Sequence, residues 1–198
     1  MRRFLTSVAL FLSATAAAAG DLLFDAVSAG NTVAVEQLLA SGADVNSRTR
    51  DQATPLINAA IAKQLAVAEL LIKRNADVMA RNSGGFTPLH AAAFSGSVPI
   101  SKLLLDHGAI LDDASNKAGV TPLMVAGEEN HVDLAEFLLA KGADVGHVEV
   151  HGYAPITRAI WKGNFDIVRL FKQHGVTCPP LSVLGEEEFY AKCMEIHE

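Results

Sequence analysis

Aromatic residues are scarce in this chain: nine Phe, two Tyr and one Trp, 6 % of 198 residues. A core organised around large rings is thereby excluded. Alanine and aliphatic side chains have to fill it instead, which points to closely packed helices. Positive charge is short too, with 16 basic against 22 acidic residues. No basic stripe is present to meet a phosphate backbone, which counts against nucleic acid as a partner. Charged residues reach only 19 % while hydrophobic ones make up 50 %, and that balance excludes a disordered or collagen-like chain. Also missing are a Gly-rich phosphate loop and an apolar run long enough to span a bilayer.

One short apolar stretch does stand out, Phe4 to Leu12. It follows Arg2 and Arg3 and precedes the small residues Ala16 to Ala19, the order of a cleaved secretory signal peptide. Cleavage is expected after Ala18 or Ala19, which assigns residues 1–19 to the signal. The alternative, a buried first helix, lacks polar residues to mark an amphipathic face. The paired arginines resemble a twin-arginine signal only faintly, and a Sec-type signal fits better. Losing residues 1–19 removes two arginines and no acid, so the net charge moves from −6 to about −8. The expectation is a soluble monomer in the periplasm, with no membrane insertion after cleavage. A protein secreted beyond the cell would carry the same signal.

Cysteine is limited to Cys178 and Cys193. In an exported chain an even pair this close reads as a disulfide, stabilising by roughly 3 kcal/mol through loop entropy. The alternative is two free buried thiols.

What the chain has in abundance is self-similarity. Thr54-Pro55-Leu56 recurs as Thr87-Pro88-Leu89, as Thr121-Pro122-Leu123 and, weakened, as Ala154-Pro155-Ile156, in steps of 33, 34 and 33 residues. Gly42-Ala43-Asp44, Asn75-Ala76-Asp77, Gly108-Ala109, Gly142-Ala143-Asp144 and Gly175 keep the same beat. The threonine suits a helix N-cap and the proline a first helical turn. A short alanine-rich helix follows, as in Leu56 to Ala62. Gly30, Gly96 and Gly163 allow a reversal, and a second helix carries aliphatic residues at helical spacing, as in Val132, Ala135, Leu138 and Leu139. Glycine or asparagine then ends it, the residues that tolerate a left-handed turn. After Gly175 the pattern gives way to Cys178-Pro179-Pro180 and a last helix over Glu186 to Ile196. Its acids Glu186, Glu187 and Glu188 fall in the first turn.

Thr87-Pro88-Leu89-His90-Ala91-Ala92, with the Gly108-Ala109 turn and the period of 33, resembles the ankyrin repeat. The resemblance implies an all-α solenoid of about five helix–turn–helix repeats with β-hairpin fingers. They would lie at about 21–48, 49–81, 82–115, 116–148 and 149–176, with a C-terminal capping segment at 177–198. Only the third repeat keeps the family's histidine; Asn58, Met124 and Thr157 replace it elsewhere, and Gln52 stands at the finger glycine. Such units bury their apolar faces only by stacking on neighbours.

Residues suited to chemistry are few, and no catalytic, cofactor or metal site is expected. His147-Val148-Glu149-Val150-His151 is the densest cluster. It matches no zinc-helix spacing and reads as a solvated finger, with a metal-binding hairpin as the alternative. His107 and His174, each before a repeat-ending glycine, and His90 read as structural. Asp112-Asp113 and Glu128-Glu129 read as solvated turn residues. Ser28, Ser95 and Ser101 lack the partners a nucleophile needs.

The family resemblance implies a protein partner on the concave face, at finger positions before each Thr-Pro and at outward positions seven residues after each Thr. These are Ala53, Phe86, Val120 and Tyr153, and Ile61, Phe94, Glu128 and Trp161, with Ser28 in the first repeat. Phe86, Phe94, Tyr153 and Trp161 are the expected anchors, with Ile61, Glu128, His151 and Lys162 at the margins. The alternative is that some fold inward. Exported relatives of this type suggest two roles: inhibitor of a toxin or cell-wall hydrolase, slightly favoured by an acidic chain with an aromatic groove, or scaffold for oxidative-stress defence alongside catalase. A metal or thiol enzyme is the competing class.

Overall fold

In the computed structural model, which describes residues 21–196, prolines open four short helices at the first position: α3 (Pro55–Ile61), α5 (Pro88–Ser95), α7 (Pro122–Glu128) and α9 (Pro155–Lys162). A proline costs nothing there, since that N–H has no partner within the helix. The signal peptide read at residues 1–19 lies outside the described residues. Thr54 and Thr121 cap their helices by accepting from the N–H of Ile57 (3.4 Å) and Met124 (3.3 Å). Ala154, where the motif weakens, gives no such bond.

Each of these helices is followed by an antiparallel partner: α4 (Leu65–Lys73), α6 (Val98–Asp106), α8 (Val132–Ala140) and α10 (Phe165–Gln173). A first pair precedes them, α1 over residues 21–28 and α2 (Thr32–Ala40). Three columns of left-handed backbone hold the pairs in register. One of them runs through Gly30, Lys63, Gly96, Asn130 and Gly163, each at positive φ, where the first helix of a pair gives way to the second. The Gly96 turn also accepts the ring of His131, which a Cβ on Gly96 would meet at 2.5 Å.

The proline-initiated helices stack in a row, α3 on α5 on α7 on α9, and the second helices form an outer row. Small residues make that close approach possible: Ala59, Ala60, Ala92, Ala93, Ala126 and Ala159 are all fully buried. Gly127 lets the ring of Phe171 come so near that a Cβ there would meet it at 3.2 Å. One apolar cluster runs from Leu23 to Leu104 and a second from Ala93 to Cys193, so each unit is buried by its neighbours and not by itself.

The fingers between units are narrower than the β-hairpins expected. They are tight reversals, as where Thr49 N–H donates to Ala53 O (3.0 Å), and no strand forms among the described residues. The cap consists of α11 (Leu181–Leu184) and α12 (Glu187–Glu195). A Cys178–Cys193 disulfide ties it to the last unit, and Lys172 Nζ donates to the carbonyls of Cys193 and Ile196. No helix among the described residues is long and apolar enough to cross a membrane.

Candidate functional site

Repetition at 33 or 34 residues places equivalent side chains side by side. Ile61, Phe94, Glu128 and Trp161 therefore form one row at the C-terminal ends of α3, α5, α7 and α9. Ile61 is 47 % exposed and Phe94 53 %, so neither is used for core packing. From the finger side Phe86 enters partly buried and rests edge-on against His90, ring centres 5.4 Å apart. Between Phe86 and Phe94 the floor is formed by Thr87, His90 and the small Ala91. The result is a pocket of about 270 Å³ whose walls include Ile61, Phe86, Phe94 and Val125, with Glu128, Glu129 and Arg158 at one end.

Glu128 is the electrostatic centre of that end. Arg158 donates to its Oε2 from Nε (3.0 Å) and Nη2 (2.5 Å), and Lys162 Nζ lies 3.2 Å from Oε1. Burial pushes this carboxyl up, but the hydrogen bonds and charges of Arg158 and Lys162 outweigh it and hold it below the usual carboxylate range. The expectation of a solvated Glu128 is thus corrected: a carboxylate this sheltered persists only because two cations share it.

The remaining expected anchors gather one unit further on. His151, Tyr153 and Trp161 form a ladder, His151 stacked on Tyr153 (6.5 Å) and Tyr153 edge-on to Trp161 (4.6 Å). Trp161 also turns its indole N–H to the carbonyl of Leu184 in the cap (3.1 Å). It therefore braces the cap while showing 37 % of its surface. Of the eight expected residues, Ile61, Phe86, Phe94 and Glu128 line the pocket. Tyr153, Trp161 and His151 build the ladder, and Lys162 joins the two groups through Glu128. Val120, though at a finger position, is only 4 % exposed and belongs to the core.

Against this geometry, a family model for ankyrin repeats (three copies) matches residues 23–115 and 110–179. The chain belongs to the ankyrin-repeat family. No curated protein matches it. Ankyrin repeats generally mediate protein–protein binding, and in this ankyrin chain the row just described exposes Ile61 and Phe94 beside a pocket.

Several polar residues of the ankyrin stack hold the face in shape and carry no mark in a linear reading. The cluster at His147 to His151 is an exposed finger, with Val148, Val150 and His151 in solvent, folded around one buried carboxylate. Glu149 is 4 % exposed; it accepts from the N–H groups of His151 (3.0 Å) and Tyr153 (3.2 Å) and pairs with the His151 ring (2.8 Å). His147 Nε2 meets Gly119 O at 2.8 Å. Asn82, by bonding Phe86 N–H, and Asn116, by bonding Val120 N–H, do the same work in their fingers. Aligning the repeats at Thr49, Asn82, Asn116 and Glu149 would have found this column of acceptors. Asp113, expected in solvent, is 3 % exposed and accepts from Arg81 through both oxygens (2.9 and 2.5 Å).

The histidines read as structural are in such positions. His107 and His174 turn Nδ1 to carbonyls one turn back, Leu103 O and Leu170 O, both at 2.9 Å. His90 is 2 % exposed and spans two units: Thr87 N–H donates to its Nδ1 (3.3 Å) and its Nε2 donates to Val120 O (2.9 Å). Among the described residues no set of three His, Cys, Asp or Glu side chains is placed to hold a metal ion, and both cysteines are consumed by the disulfide.

Proposed function

We propose that this ankyrin protein is exported to the periplasm, where as a monomer it holds one protein partner on its concave face. The favoured partner is a toxin or cell-wall hydrolase that it inhibits. The observation that carries the reading is the pocket between Phe86 and Phe94. Large apolar side chains stay exposed there, in a chain with few aromatics to spare, and exposed aromatics in a concavity are the usual anchors of a protein interface. Export rests on Arg2-Arg3, the apolar Phe4 to Leu12 and Ala16 to Ala19; a disulfide suits an oxidising compartment.

The test is capture from periplasmic extract with the protein as bait and an Ile61→Ala, Phe94→Ala variant as control. Those two side chains touch solvent and leave the cap intact, whereas Trp161→Ala would also loosen the bond to Leu184. A protein retained by the native bait and lost by the folded variant is the partner. If it is a hydrolase or toxin, mixing should raise its melting temperature and suppress its activity. Capture of catalase instead would favour the stress-defence scaffold, and equal retention by both baits would remove the concave-face reading.

A further inference from the structure

We infer that the pocket over Ala91 receives a single basic side chain of the partner, an arginine, laid between Phe86 and Phe94 with its guanidinium turned to Glu129. The inference rests on the concave-face reading above and gives it a chemistry. Ala91 leaves the floor open, 7 % exposed, while Phe86 borders it from the finger and Phe94 from the end of α5. A space of about 270 Å³ is below the range of typical small-molecule sites, about 300–1,000 Å³, and admits one long side chain. The apolar walls suit an alkyl stem, and the phenyl faces attract a planar guanidinium.

Charge at the pocket end selects the sign of the occupant. Both nearby cations, Arg158 and Lys162, are committed to Glu128. Glu129 also lines the pocket, is exposed, and makes no ion pair among the described residues. An acidic partner group would meet that carboxylate with no uncommitted cation to offset it. A purely apolar group would leave that exposed carboxylate without a partner and gain nothing from it. A guanidinium satisfies it, and the net charge of −6 favours approach of a cation.

The test titrates 15N-labelled protein with blocked tripeptides Gly-X-Gly, where X is arginine, its neutral isostere citrulline, phenylalanine or glutamate, following backbone amide shifts. The arginine peptide is expected to move the amides of Ile61, Phe94 and Glu129. The citrulline peptide should bind about three- to fivefold more weakly, the worth of one partly exposed ion pair. Glu129→Gln should abolish that difference, and Phe94→Ala should weaken both peptides. Equal binding of arginine and citrulline, a preference for phenylalanine, or no shift at the pocket would overturn the assignment. If any of these occurs while Ile61→Ala, Phe94→Ala still abolishes partner capture, the concave-face reading stands and only the arginine falls. If capture is also indifferent to that variant, both fall.

Discussion

Asp113 is the place where one finger is bolted to the next, and its removal should be felt across the stack. Its side chain is 2 % exposed and bonds Arg81 through both oxygens, while Ser115 N–H donates to Oδ1 at 3.1 Å. Arg81 in turn reaches Gly85 O of its own finger at 3.0 Å, so the pair couples the second and third fingers. Breaking a buried pair costs about 3–5 kcal/mol. Arg81 is 33 % exposed and water can resolvate it, so Asp113→Ala is expected to lose about 2 kcal/mol. Arg81→Met strands the carboxylate with little beyond Ser115 N–H and should lose about 3 kcal/mol. The double variant should lose less than the two together, with a coupling of at least about 1 kcal/mol. Urea unfolding followed by circular dichroism at pH 7 reads all three, and unchanged slopes would show that a single transition is being compared. Losses below about 0.5 kcal/mol for each variant would reduce the pair to an ordinary surface contact and refute finger-to-finger coupling.

Three further outcomes follow from the same geometry. Cys178→Ser, Cys193→Ser should lose roughly 3 kcal/mol and shift the emission of the sole tryptophan, Trp161, to the red as Leu184 lets go of its N–H; an unchanged spectrum would show that the cap holds without the bond. Gly96→Ala should lose about 2 kcal/mol or more, because the new Cβ meets the His131 ring at 2.5 Å at a φ of +73°, while Gly42→Ala, at φ +95° with nothing within 4 Å, should lose about 1 kcal/mol; equal melting temperatures would contradict the His131 contact. Burial holds the His90 imidazole below the ordinary histidine value despite its bond to Val120 O, and a proton on Nδ1 would break the bond from Thr87 N–H. The unfolded chain therefore protonates first, and stability should fall as pH drops below about 6.5. A second loss should follow near pH 4, where Asp113 and Glu128, held low by their cations, protonate preferentially when unfolded. His90→Gln should flatten the first loss in a melting series from pH 7.5 to 5, and an identical slope would contradict the assignment.

The repeat and its helices were legible because their signals are local. A Thr-Pro step marks the helix start in three units and Ala154-Pro155 in a fourth, and Gly42, Asn75, Gly108, Gly142 and Gly175 mark the ends with left-handed backbone. Gln52, out of place as a finger glycine, takes the glycine conformation all the same, at φ +61°. The row Ile61, Phe94, Glu128 and Trp161 was likewise readable once the period was known. Interactions that span a whole period were not. Asp113 and Glu128 looked like turn acids because their partners, Arg81 and Arg158, sit 32 and 30 residues away. Trp161 has an anchor outside the repeats, the Leu184 carbonyl of the cap, which no periodic pattern contains. Glu149 was hidden differently: it read as part of a solvated finger beside His147 and His151, whereas its oxygens serve the finger's own N–H groups.

The most direct test of the central claim is calorimetric affinity of the captured partner for three proteins: native, Phe94→Ala, and Lys102→Ala on the exposed side of the outer row. A concave-face anchor predicts at least a tenfold weakening for Phe94→Ala, about 1.4 kcal/mol or more, with its melting temperature held and Lys102→Ala binding as the native protein does. Undiminished binding by Phe94→Ala, or an equal loss from Lys102→Ala, would contradict it.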